Sequence, residues 1–151
     1  MKVQRVLLDR IDTESEGWDE FIFELHPTNV DRLAVSLERV GQIHPLLVLK
    51  RTDKLLIISG YARYLAMKKL GINEAWVRVF QENEISKEEL LWISIEENCG
   101  KQPGTGALKR IFRKFREIGY SEKRISQEVA PTVAGKLSPG ETRDILQEEE
   151  D

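Results

Sequence analysis

Three short stretches of the chain hold groups that could do chemistry. In Ser59-Gly60-Tyr61-Ala62-Arg63 an apolar run gives way to a single glycine and then to a helical pattern. The first amides of a helix have no partner within it and carry the positive end of its dipole. A glycine there lets an anion approach the backbone, and Arg63 can add a forked pair of hydrogen bonds from the first turn. That is phosphate chemistry, although one glycine before a helix is also a common way to begin any helix. Gly41-Gln42-Ile43-His44-Pro45 offers turn backbone and one imidazole, enough to line a nucleotide pocket or simply to stop a helix at the surface. Glu96-Glu97-Asn98, with Lys101 just beyond, sets carboxylate and amide oxygens side by side. Mg²⁺ takes such ligands while keeping several waters; the plainer reading is an acidic, solvated helix end. His26 and His44 are the two histidines, and no Walker loop, GxGxxG, HExxH or Ser/Cys triad pattern occurs.

The elements that must position these residues follow from periodicity and punctuation. Val3–Leu8 reads as a strand, residues 12–20 as a polar loop, and Phe21–Leu25 as a second short strand. Thr28 is the expected N-cap of a helix with Val30, Leu33, Ala34, Leu37 and Val40 inward and Gly41 at its end. Pro45–Leu49 and Leu55–Ile58 are near-continuous apolar runs, which suits strands buried on both faces. A helix is expected over 61–70, a strand over 75–80, and a helix from the capping pair Ser86/Glu89 to about Asn98. Gly100, Pro103, Gly104 and Gly106 form a linker. Leu108, Ile111, Phe112, Phe115 and Ile118 then mark an amphipathic helix, so Lys109, Arg110, Arg113, Lys114 and Arg116 are expected to project outward. Ser121 caps a short helix with Ile125 and Val129 inward. Pro131–Leu137 intervene, and Ser138-Pro139-Gly140-Glu141 opens a last helix to about Gln147. The fold class is α+β: a small mixed sheet with helices over 1–100, a helical region over 101–147, and an acidic tail at 148–151.

Charge is uneven. The 151 residues carry a net −3, which argues against a nucleic-acid binder of the whole-surface kind. Residues 50–80 nevertheless carry a net +5 and residues 101–124 a net +6, between acidic segments. Such blocks can hold phosphate locally or be solvated helix faces. No run approaches the roughly 20 apolar residues of a membrane helix, and the N-terminus lacks a signal-peptide pattern. The single cysteine, Cys99, excludes an internal disulfide and a cysteine-rich zinc site. A cytoplasmic protein without a membrane partner is expected.

Taken together, the three stretches resemble the boxes of the ParB family, within the ParB/sulfiredoxin-like superfamily. Residues 36–48, from Ser36 through Gly41, His44 and Pro45 to Val48, resemble "S-I-x-x-x-G-x-x-Q-P-I-x-V". Ser59-Gly60-Tyr61-Ala62-Arg63-Tyr64-Leu65-Ala66 resembles "G-E-R-R-x-x-A", and Leu70-Gly71 the "L-G" that follows it. Glu97-Asn98-Cys99-Gly100-Lys101 resembles "E-N-x-x-R". The resemblance covers about residues 3–102.

It implies a ParB-like fold binding a nucleoside triphosphate, CTP or ATP, with Mg²⁺. By position, Gly41, His44 and Pro45 would lie near the base, and Ser59, Gly60, Tyr61, Ala62, Arg63 and Lys101 would contact the nucleotide, chiefly its phosphates. Asn98 would ligate the metal, and Glu97 would be the candidate for slow hydrolysis. Tyr61 and Ala62 stand where the pattern has Glu and Arg, His44 where it has Gln, and Lys101 where it has Arg. Sulfiredoxins share the fold, but their reactive cysteine lies where this chain has Tyr61. The family's other partners are DNA and a second copy of the chain. Residues 121–130 resemble the first helix of its helix-turn-helix, followed by an unusually long turn. The basic block 101–124, with Lys109, Arg110, Arg113, Lys114, Arg116, Lys123 and Arg124, is the expected contact for DNA phosphates. The family's long C-terminal dimerisation segment is not evident, so sliding-clamp behaviour is not expected. Two other readings remain at this point: an enzyme on the same fold, kinase or ParB-like nuclease, and a protein-binding adaptor.

Overall fold

The computed structural model describes residues 2–96 and 103–147. The chain divides into two compact units, Met1–Ser86 and Lys87–Asp151.

The first unit is built on one four-stranded sheet of order β1-β4-β2-β3, with β1 at Lys2–Leu7, β2 at Leu46–Arg51, β3 at Lys54–Ser59 and β4 at Glu74–Gln81. The strands β2 and β3 pair antiparallel through a tight turn in which Thr52 takes φ 55°, the positive φ that two-residue hairpin loops demand. The chain then crosses through α2 (Tyr61–Lys69) and returns as β4, parallel to β2. The first strand closes the sheet by pairing antiparallel with β4, Lys2 opposite Val79 and Leu7 opposite Glu74. Alternation decides which side chains go in: Ala75, Val77 and Val79 are buried while Glu74 and Trp76 are exposed. Those residues, with Val6, Leu46, Val48, Leu55 and Ile57, meet Ala34 and Leu37 of α1 (Val30–Val40) and Tyr64, Ala66 and Met67 of α2 in one core. Leu49, Leu56 and Ile58, which point the other way, are buried too, so the apolar runs of β2 and β3 are indeed covered on both faces.

Some local expectations are overturned. Residues 21–25 are not a strand: Phe21, Ile22 and Phe23 are consecutively buried, which the two-sided alternation of a half-exposed strand cannot provide. Instead, the amides of Trp18, Glu20 and Ile22 bond back three residues and coil the chain. Asn29, not Thr28, occupies the N-cap of α1, with no side-chain cap bond. Val40 is 60% exposed; the inward face of α1 is made by Ala34 and Leu37 with the half-buried Leu33, and Val40 lies outside it.

In the second unit, α3 (Lys87–Ile95), α4 (Thr105–Glu117) and a helix over 122–133 precede the final helix α7 (Pro139–Gln147). Helix 122–133 begins as α5 (Glu122–Arg124), where the Ser121 hydroxyl accepts from the amide of Arg124 at 3.0 Å. It widens into a π turn over Ile125–Val129 and resumes as α6 (Ala130–Val133). Pro131 therefore lies inside the helix and not in a linker. The widened turn sits over Gln127, whose carbonyl the proline ring would crowd in a regular helix. α7 begins with a reciprocal capping box: Glu141 N–H donates to Ser138 Oγ at 3.1 Å, and Ser138 N–H donates to the Glu141 carboxylate at 3.0 Å. Trp92, Phe115 and Tyr120 pack edge-on with centroids 5.2 and 5.0 Å apart. Lys109 corrects the expectation that every cation of α4 projects outward: it is 1% exposed and its Nζ has no hydrogen-bond partner among the described residues. It lies next to Phe112 around the helix, so its stem continues the apolar face.

Candidate functional site

Gly60 is the pivot. It caps α2 with φ 104° and ψ 19°, a left-handed conformation that side chains disfavour. A Cβ built there would stand 2.7 Å from Cδ2 of Leu46, which is fully buried. Two constraints thus require glycine: the turn of the chain and the approach of β2. The ladder of α2 begins with Tyr64 N–H donating to Gly60 O at 2.9 Å, which leaves the amides of Tyr61, Ala62 and Arg63 without intrahelical acceptors. No acidic residue lies in this first turn, and Gly60 has no side chain with which to cap it.

The box residues then take distinct roles. The Tyr61 ring lies 5.7 Å from Trp18 and stacks on Tyr64 at 6.2 Å with 15° between planes. Burial first, and the neighbouring Tyr64 and Asp19 next, push its hydroxyl above the usual tyrosine pKa of 10.0. Its ring thus packs against Trp18 and Tyr64 at the edge of the core. Ala62 and Arg63 are half-buried. Arg63 makes no ion pair among the described residues, which leaves its guanidinium available to an anion. Ser59 ends β3 opposite Leu47, next to a register shift at Leu47/Val48.

The first box joins the second through β2. Gly41 ends α1 with φ 74°, donating its amide to Leu37 O at 2.8 Å. Pro45 is half-buried and directly precedes Leu46, the residue against Gly60. His44 is exposed. The structure thus brings Gly41, His44 and Pro45 to the same end of the sheet as Ser59, Gly60 and Arg63. Two side chains the sequence reading passed over also belong here. Trp18 carries Tyr61. Gln42 donates to the carbonyls of His44 at 2.9 Å and Trp76 at 2.8 Å, and accepts from the Trp76 amide at 2.7 Å. Nothing local in the sequence marks either one, because each acts across a long separation.

Glu97, Asn98 and Lys101 lie outside the described residues, so the third box has no assigned place. Among the described residues no cluster of His, Cys, Asp or Glu is arranged for a metal ion. Two hollows, of about 480 and 360 Å³, share Lys68 and Asp9; they lie at the far end of α2, away from Gly60.

The basic block is thinned by its own partners. Lys109 is buried. Lys114 pairs with Glu117 at 3.7 Å. The Arg124 guanidinium stacks 3.7 Å from the Tyr120 centroid and pairs with Glu128 and Glu88. Arg110 and Arg113 are engaged as well. Arg116 and Lys123 are exposed and have no ion-pair partner among the described residues.

Comparison with known proteins bears on family and fold. Residues 3–99 match the ParB N-terminal domain family. A probable chromosome 1-partitioning protein ParB of Deinococcus radiodurans is 28% identical over 130 residues, 85% of this chain and 43% of that protein. A probable chromosome-partitioning protein ParB of Campylobacter jejuni is 34% identical over 64 residues, 41% of this chain and 23% of the relative. The chain thus spans less than half the length of either relative. Its fold matches the C-terminally truncated ParB of Caulobacter crescentus complexed with CTP-gamma-S, at TM-score 0.54 and 15% identity, covering 97% of this chain and 77% of the other. It also matches a Pnob8-like ParB-N domain, at TM-score 0.60 and 18% identity, covering 97% and 60%. With about two thirds of its length inside the family's boundaries and its glycine box built at a helix start, the chain belongs to the ParB N-terminal domain family.

Proposed function

We propose that the chain is a nucleotide-binding, DNA-associated module of chromosome- or plasmid-partition type that works in the cytoplasm. The observation that carries this reading is the start of α2: a left-handed Gly60, three amides without intrahelical acceptors, no acidic side chain in the first turn, and an Arg63 with no ion pair among the described residues. A helix N-terminus of this kind attracts a phosphate through its amides and its dipole. The Gly41–Pro45 loop at the same sheet end gives the base a neighbour, with His44 at its exposed edge. The solved ParB of Caulobacter crescentus holds a CTP analogue, which makes CTP the first ligand to try. Mg²⁺ binding by Asn98, anion contact by Lys101 and slow hydrolysis through Glu97 belong to the same proposal. With Ala62 in place of an arginine, the site offers one cation fewer to the phosphates than the family pattern. DNA contact is assigned to Arg116 and Lys123 first, since the other described cations of the block are buried or engaged.

The test is calorimetric titration with CTP, ATP and ADP, each with Mg²⁺, on the unaltered chain and on Arg63→Ala. The expected result is binding that Arg63→Ala weakens by about tenfold or more, the loss of a charged hydrogen bond. No heat with any nucleotide, at protein concentrations that reveal sub-millimolar affinity, would overturn the reading and leave a protein-binding adaptor in its place.

A further inference from the structure

The loop between α1 and β2 poses a physical problem. Residues 41–45 have no regular structure. Ile43 is 68% exposed and His44 is exposed, so apolar burial does not hold them. Residues 42–45 make no backbone–backbone hydrogen bond among the described residues. One side chain takes the place of all these. The Gln42 carboxamide accepts from the Trp76 amide and donates to the Trp76 carbonyl, 34 residues away, and also donates to the carbonyl of His44.

The reason this works lies in the register. The parallel ladder of β2 on β4 begins with Leu46 opposite Val77. Trp76, one residue earlier on β4, has no β2 residue opposite it. Gln42 supplies the missing rung, since a carboxamide presents the same donor and acceptor as a peptide group. The anchor is firm: Val77 next to it is fully buried, Arg5 of β1 pairs with Trp76, and the Arg5 guanidinium lies 5.4 Å from the Trp76 ring centroid.

We infer that Gln42 is the positioning residue of the nucleotide site, holding the His44–Pro45 segment in its binding shape before the ligand arrives. The inference rests on the nucleotide reading given above. Gln42 need not touch the ligand. It removes the ordering cost that binding would otherwise meet in a loop with little apolar burial and no backbone–backbone bond over 42–45 among the described residues. The residue must be both donor and acceptor: alanine removes the peg, and glutamate turns a second oxygen toward the two carbonyls that Gln42 now serves.

The experiment compares the unaltered chain with Gln42→Ala and Gln42→Glu by nucleotide calorimetry, thermal unfolding and amide hydrogen exchange read at Trp76. In both variants nucleotide affinity falls by about three- to tenfold, within the range of one or two exposed hydrogen bonds. The melting temperature stays within about a degree, and in Gln42→Ala the Trp76 amide exchanges faster while Val77 does not. Three results overturn the inference alone: unchanged affinity in Gln42→Ala despite faster exchange, unchanged exchange at Trp76, or a large fall in melting temperature with unaltered affinity. Absence of binding by the unaltered chain is a different result, which removes the nucleotide reading and this role with it.

Discussion

Gly60 carries two demands at one position, and they can be measured together. Gly60→Ala must adopt a positive φ and push Leu46 aside within a buried environment. The expected cost is about 1–3 kcal/mol, visible as a lower urea midpoint at constant slope, together with weaker nucleotide binding. An unaltered midpoint would mean that the backbone relaxes and that the glycine is not required by the fold. The identity of this residue was legible in the sequence, as a glycine between an apolar run and a helical pattern. Its second constraint was not, because contact with Leu46 depends on the pairing of β2 with β3 and leaves no local mark. Gln42 was illegible for the same reason, since its partner lies on β4. Tyr61 was legible only in part: its place in the box was plain, but the ring's commitment to Trp18 depends on how the 12–20 loop folds over α2.

Elements were read well where one physical signal dominated and poorly where two competed. The strands β2, β3 and β4, the capping box of α7 and the amphipathic α4 all follow from a single pattern. The Phe21–Phe23 segment has strand composition but buries every residue in a coil, and Pro131 sits in a helix that a π turn lets continue. The joint between α3 and the turn after α4 allows a sharper test. The Tyr120 hydroxyl donates to Glu88 at 2.6 Å and accepts from Trp92 Nε1 at 3.1 Å. Tyr120→Phe leaves both partners short of a bond and should destabilise the chain by about 1–2 kcal/mol. Burial first, then the bond to Glu88, raises the hydroxyl pKa above 10.0. The folded chain therefore keeps a proton that the unfolded chain releases near 10. This contribution is complete below pH 10 and is lost as pH climbs through the folded value. Unfolding followed between pH 8 and 11 should show a steeper alkaline decline in the unaltered chain than in Tyr120→Phe; parallel curves would refute the linkage.

Across the whole molecule, net charge understates what a basic block offers and a list of cations overstates it. The sequence marked seven residues for DNA phosphates, and helical periodicity could not reveal which were already engaged. Lys109 is the clearest case, a lysine on the apolar side of α4 whose Nζ has no hydrogen-bond partner among the described residues. If DNA is bound through the exposed cations, Arg116→Ala and Lys123→Ala each lower the salt dependence of affinity by roughly one counterion. Lys109→Met should leave that slope unchanged and be neutral or stabilising, because it replaces a buried polar group with no hydrogen-bond partner among the described residues by an apolar side chain of similar length. Equal losses of slope at all three positions would show that Lys109 leaves its buried site to reach the phosphates.

The sheet order has a consequence for the birth of the protein. Of the four described strands, β1 is made before the others and pairs with β4 alone, in a register that joins Lys2 to Val79. Until residues 74–81 have been synthesised, the opening segment with Val3, Val6 and Leu8 has nothing to pair with. Closure waits for a contact between the two ends of the first unit, a high-separation event of the kind that slows folding and lengthens exposure to aggregation. A chain shortened by its first seven residues would be left with a bare β4 edge carrying Trp76, and that truncation should show itself in expression as insolubility well before any assay of ligand is possible.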